Sequence, residues 1–187
     1  MDLVSHFRKT ARNNAWSNHR LYAACTRLGE GEFKAARTSF FPSLHATLNH
    51  ILAVDHYYID ALVGGGRGPA AFSEYVPLDN IARLAAAQVE SDQRLIAFCD
   101  SLGPADPARR VTTDRGDAGK FDETIGDLLA HLFLHQIHHR GQAHAMLAGT
   151  PIAPPQLDEF FCANEAHLRA AELAEIGLSE TMLWNRG

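Results

Sequence analysis

His135 and His139 stand one helical turn apart in DETIGDLLAHLFLHQIHHRGQAHAMLAGT, residues 122–150. On an α-helix their side chains lie about 40° apart around the axis, so two neutral imidazoles reach a single ion without straining the backbone. Imidazole nitrogen suits zinc, nickel and iron. A catalytic zinc site typically takes three protein ligands and keeps a further position for water or substrate. The pair therefore asks for a third ligand elsewhere in the chain. His131, His138 and His144 make histidine abundant in the same stretch, and exposed or hydrogen-bonded core imidazoles are the competing reading.

The element that carries the pair reads as a long helix. Ile125, Leu128 and Leu132 recur at three- and four-residue steps, and no proline interrupts them. The spacing predicts a start near Asp122. Gln142 follows His139 by about 60° on the wheel and is placed to hydrogen-bond a ligand or substrate. Arg140 points away from His139, towards the side of a bundle or a dimer face, and Gly141 permits close backbone approach.

Three further helices are expected. The first covers residues 2–28, with Phe7, Ala11, Asn14, Asn18, Leu21, Cys25 and Leu28 along one face. Its two asparagines either line a polar cavity or mark an end of the face open to water, since a buried amide needs partners. The second runs over about 42–63, with Pro42 near its first turn and GGGRGP beyond its end. His50 lies well off the centre of its Leu44, Leu48, Ile51, Tyr58 and Leu62 stripe, which permits an inward position without requiring one. His45 and His56 read as polar-face or rim residues. The third covers about 78–102, capped by Asp79. GGGRGPAAFSEYV between them is a loop able to border a site, and RRVTT is a brief extended segment.

After Gly149 a short helix is expected over about 156–162, laying Leu157, Phe160 and Phe161 on the bundle, followed by an amphipathic EAHLRAAELAEI. This tail is acidic. The first helix is basic through Arg8, Lys9, Arg12, Arg20 and Arg27, which allows a weak attraction between them.

The chain of 187 residues suits one domain over 1–187, with a core at about 5–165 and a short acidic extension. Its net charge of -5 offers no strong attraction for nucleic acid or anionic lipid. Cys25, Cys99 and Cys162 form no CxxC pair, so a disulfide framework is not indicated and a cytoplasmic location is the economical expectation. The amino terminus lacks the apolar run of a signal peptide or membrane span. Four long helices with two irregular connections make an all-α four-helix bundle, and bundles place metal sites between facing helices.

Four pieces together resemble the DinB/YfiT-like family of metal-dependent enzymes: NNAWSNHRLY, LNHILAVDHYYID, HQIHHRGQ and PPQLDEFF. The resemblance implies an up-up-down-down bundle with short C-terminal helices, frequent homodimers, and one divalent metal held by His50, His135 and His139. It also implies a thiol-dependent S-transferase or a maleylpyruvate isomerase-like enzyme using a low-molecular-weight thiol. The tail from about 165 has no counterpart in that pattern. Zinc is the first choice of ion, nickel the second and iron compatible. In such a site Asp55 would orient an imidazole from behind, and Gln142 would touch a ligand or substrate. A different class of function, a non-enzymatic metal-stabilised binding or stress-response scaffold, would close the fourth coordination position.

Overall fold

Each long helix begins on a side chain that satisfies its first free backbone donors. The computed structural model describes residues 2–158 and 162–184. Helix α1, Leu3–Cys25, starts where the Asp2 carboxylate accepts from Ser5 N at 2.9 Å. A short α2, Glu30–Lys34, follows. Helix α3, Leu44–Val63, is capped by the Ser43 hydroxyl accepting from Ala46 N at 3.1 Å. It stops at Gly64, whose φ of 72° is a left-handed value that side-chain-bearing residues rarely adopt. After the single turn α4, Ala70–Ser73, helix α5 spans Ile81–Ser101. Its cap is Asn80, accepting from Arg83 N at 3.1 Å. The expected cap, Asp79, instead faces Lys34 at 3.2 Å.

The predicted start of the central helix near Asp122 is displaced by a β-hairpin. Strand β1, Arg110–Asp114, pairs antiparallel with β2, Lys120–Thr124, in the register Arg110↔Thr124 to Asp114↔Lys120. RRVTT is therefore one arm of a two-stranded ladder, and FDET is the other arm rather than a first helical turn. Helix α6, Ile125–Ala148, begins directly afterwards, with Thr124 Oγ1 accepting from Asp127 N at 3.1 Å.

Helices α1, α3, α5 and α6 form the bundle, in the order α6, α1, α5, α3 around its axis. Phe7 stacks on Phe133 and Asn14 meets Arg140, so α1 and α6 run in parallel. Arg12 meets Asp100 while Tyr22 meets Gln88, so α1 and α5 are antiparallel. His50 lies by His139 and Tyr58 by His131, which makes α3 and α6 antiparallel. Taken around the bundle the directions are up, up, down, down; taken along the chain they are up, down, down, up.

The core has a layered plan. One apolar cluster gathers Phe7, Tyr58, Leu62, Leu95, Leu128 and Leu132. A second gathers Leu21, Leu48, Leu52, Leu84 and Leu147. Full burial of such side chains contributes about 1.5–3 kcal/mol each. Between the two clusters every long helix contributes buried polar residues at the same height: Asn14 and Asn18 from α1, Asp55 from α3, Gln88 and Asp92 from α5, Gln136 and Arg140 from α6. Asn14 and Asn18 thus belong to a closed polar layer, not to an exposed end.

No helix among the described residues is long and apolar enough to cross a membrane. Residues 156–158 and 162 are not helical, and the remainder of the expected 156–162 helix, with Phe160 and Phe161, lies outside the described residues. Helix α7, Ala166–Glu175, docks on α1, and a short α8, Glu180–Trp184, follows it. Glu172 accepts from Arg20 Nε at 2.6 Å and from Trp16 Nε1 at 2.8 Å. The charge contrast between tail and first helix is realised at this contact.

Candidate metal centre

The antiparallel packing of α3 on α6 sets His50 opposite the two histidines of α6. The ligand atoms of His50, His135 and His139 all lie within 4.8 Å of one another. His50 Nε2 is 2.9 Å from His135 Nε2, so two ring nitrogens already aim at one point. Imidazole nitrogens sharing a tetrahedral zinc ion sit about 3.3 Å apart, given zinc–nitrogen bonds of roughly 2.0–2.1 Å. The His50–His135 pair is already close to that spacing, and the His139 ligand atom lies within 4.8 Å of both. Among the described residues no fourth His, Cys, Asp or Glu joins the group.

The rings are in the protonation state a metal needs. Burial pushes the His50 imidazole down to about 4, with the neighbouring His139 adding to the shift. Burial likewise pushes His135 down to about 3, helped by His139 and His50, and lowers His139. All three are neutral at neutral pH and can offer a lone pair.

Gln142 decides which nitrogen of His139 does so. Its Oε1 lies 2.8 Å from His139 Nδ1 and can only accept, so Nδ1 carries the proton and Nε2 is free to bind. The amide of Gln142 in turn donates to His138 Nε2 at 2.9 Å. His135 Nδ1, by contrast, is buried with no hydrogen-bond partner among the described residues.

Two residues that the sequence did not single out cover it. The Phe41 ring lies 4.3 Å from that of His50 and 5.5 Å from that of His139. Phe40 lies 6.2 Å from His139 and is 76% exposed. The available signal was an aromatic pair in the connection that leads into the helix bearing His50. On its other side the cluster opens into a cavity of about 480 Å³, walled by Val54, Tyr57, Tyr58, Phe72, Arg115 and His131 among others. A larger cavity of about 790 Å³, between α1 and α6, contains none of the three histidines. Chemistry places the site in the smaller one.

The DinB family pattern matches residues 3–172 of this chain. The chain belongs to the DinB family. Protein DinB of Bacillus subtilis (strain 168) is 24% identical to it over 148 residues, covering 75% of this chain and 85% of that protein. The DinB match enters α7, beyond the limit near 165 expected from the resemblance. Together, the family and the three-histidine cluster support a metal-dependent enzyme in the general sense.

Three expectations about neighbouring residues change in this DinB chain. Arg140 does not face a bundle side or a dimer: it is only 6% exposed and donates to Asn14, Asn18 and Gln136. Among the described residues Asp55 meets no imidazole; it accepts from Gln88 at 2.8 Å and from Gln136. Gly141 is not approached closely, because a Cβ there would meet nothing within 4 Å among the described residues.

Proposed function

We propose that the protein binds one divalent ion through His50, His135 and His139 and acts on a low-molecular-weight thiol in S-transfer or isomerisation of a small substrate. The observation that carries this reading is three neutral imidazoles converging beside a cavity, with no fourth protein ligand among the described residues. An open position suits catalysis, whereas a structural scaffold would close it. When bound, the ion would stabilise the anion of a coordinated thiol or water and so lower its pKa.

The chain supplies the rest. Gln142 holds the His139 tautomer, and Phe41 shields the His50 ring from water. The apolar walls of Val54 and Phe72 favour a compact organic substrate over bulk solvent. Zinc fits this open, all-nitrogen set best; nickel and iron accept the same donors. Buried, unpaired Cys25 and Cys99 support a reducing, cytoplasmic setting. Exposed Leu134 and Ile137 on α6 would give a homodimer an apolar strip, for which sedimentation equilibrium at tens of micromolar is the check.

Calorimetric titration of 2-mercaptoethanol into zinc-loaded protein, in buffers of different ionisation enthalpy, tests the thiol reading. Saturable binding with release of a proton is expected, and metal-stripped protein should show neither. Binding that is absent, or unchanged in His135→Ala, would overturn it.

A further inference from the structure

At the far end of the same cavity Tyr58 and Arg115 form a pair that the metal reading leaves unused. Tyr58, on α3, is 5% exposed. Its hydroxyl accepts from Arg115 Nη1 at 2.8 Å, and its own proton has no acceptor among the described residues. A buried hydroxyl donor without a partner carries a desolvation cost unless a ligand meets it. Arg115 sits in the turn of the β-hairpin, its guanidinium 5.4 Å from the centre of the Tyr58 ring. Glu123 on β2 accepts from Arg115 Nη2 at 3.0 Å and fixes its orientation. The cation polarises the phenol, and a phenol that accepts a charge-assisted bond is a better donor through its own O–H.

Of the hairpin's three remaining carboxylates, Asp114 lines this cavity, and it does not compete for the donor. Asp114 accepts from Gly116 N at 2.9 Å and faces Lys120 at 3.7 Å, while its backbone carbonyl takes the Tyr57 hydroxyl. The cavity therefore has two chemically distinct ends, the histidine cluster and a cation-backed hydroxyl, with Val54, Phe72 and the His131 ring also lining it. The step from the Tyr58 ring to His131 is 5.0 Å and from His131 to His135 is 6.4 Å.

We infer that the substrate is a small carboxylate-bearing molecule, whose carboxylate is received by the Tyr58 hydroxyl and Arg115 while its reacting end lies at the three histidines. This rests on the metal reading above and adds the polarity of what enters.

The test uses zinc-loaded protein and calorimetric titration of matched thiols. Mercaptoacetate is compared with 2-mercaptoethanol, and 3-mercaptopropionate with 3-mercapto-1-propanol. In at least one pair the acid should bind about tenfold or more tightly than the alcohol, the range of a charge-assisted hydrogen bond. Tyr58→Phe and Arg115→Gln should each reduce that preference, the acid losing more affinity than its matched alcohol, with thermal unfolding and one retained equivalent of zinc reporting that the variant is folded. Equal affinities for acid and alcohol in zinc-loaded wild type overturn this inference alone, as does a preference that Tyr58→Phe leaves intact. A protein that takes up no zinc, or binds no thiol of either kind, overturns the metal and thiol reading, and this inference falls with it.

Discussion

Along α6, His135 is followed by Gln136 and His139 by Arg140, yet each neighbouring pair divides between two opposite kinds of polar site. The histidines face α3 and a cavity, with one buried ring nitrogen left without a protein partner. Gln136 and Arg140 turn into the middle of the bundle, where they join one hydrogen-bonded network. There Arg140 donates to the amide oxygens of Asn14, Asn18 and Gln136. The amide nitrogens of the same three residues donate onward to carboxylates: Asn14 and Asn18 at 3.0 and 2.9 Å to Asp92, and Gln136 to Asp55. Gln88 bridges both carboxylates, at 2.8 Å to Asp55 and 3.2 Å to Asp92. The contrast teaches how polarity inside a bundle is to be read. A network of shared donors and acceptors that ties four helices together fixes their packing, while imidazoles converging beside a cavity are placed to take an ion from outside.

The strongest way to break that contrast is to remove the cation. Arg140→Met leaves two buried carboxyl groups without compensation, so stability should fall by about 3–5 kcal/mol, read from urea unfolding of metal-free protein. A loss below about 1 kcal/mol would show that the layer does not hold the bundle together. Gln142→Ala should act on the other side. It should weaken metal binding by about tenfold to a hundredfold while metal-free stability stays near wild type, because Gln142 lies outside the layer. Competition with a metal indicator, alongside thermal unfolding, separates the two effects.

The two regions also respond to pH with opposite signs. Burial raises Asp55 to about 6 and, with Asp55 beside it, Asp92 to about 7. Folded protein thus retains protons that the unfolded chain has already released, and the stability contributed by the pair is lost as pH rises from about 4 to 7. The histidines are lowered, so their contribution is present above their ordinary value of 6.5 and is lost as pH falls towards about 4. Because the trends oppose each other across part of the window, the net slope in metal-free wild type is modest. Asp92→Asn should remove much of the first trend and make stability rise more steeply with pH between about 4 and 7. An unchanged slope would mean that Asp92 does not titrate there. The smallest effect is expected at the docked tail, outside both regions. Glu172→Ala removes acceptors for Arg20 and Trp16 and should cost about 1 kcal/mol, measured by urea unfolding.

What the sequence made legible follows from periodicity. The long apolar spacings announce four helices, and one turn of α6 suffices to bring His135 beside His139. His50 was not selected by its own wheel, because α3 packs its main stripe into the core and its flank on α6; a helix in a ring faces two neighbours. Arg140 was misplaced for the same reason, its angle from His139 being a second packed side of α6 rather than an exposed one. Asn14 and Asn18 were visible as anomalies, but their partners lie on α5 and α6, far away in sequence. The hairpin escaped because FDETIG continues smoothly into the helical pattern, and only pairing with RVTTD distinguishes strand from first turn. Tyr58 read as part of an apolar stripe. Its hydroxyl acquires meaning only when the hairpin delivers Arg115 to it.

The central claim is that His50, His135 and His139 together hold one divalent ion. Its most direct test is the metal content of zinc- or nickel-supplied protein after gel filtration at neutral pH, for wild type, for each of the three single alanine variants, and for His131→Ala and His138→Ala as neighbours outside the set. One equivalent is expected in wild type and in both neighbours, with loss in His50→Ala, His135→Ala and His139→Ala. Full metal content in all three of those variants, or release of the ion by a neighbour instead, would contradict the account.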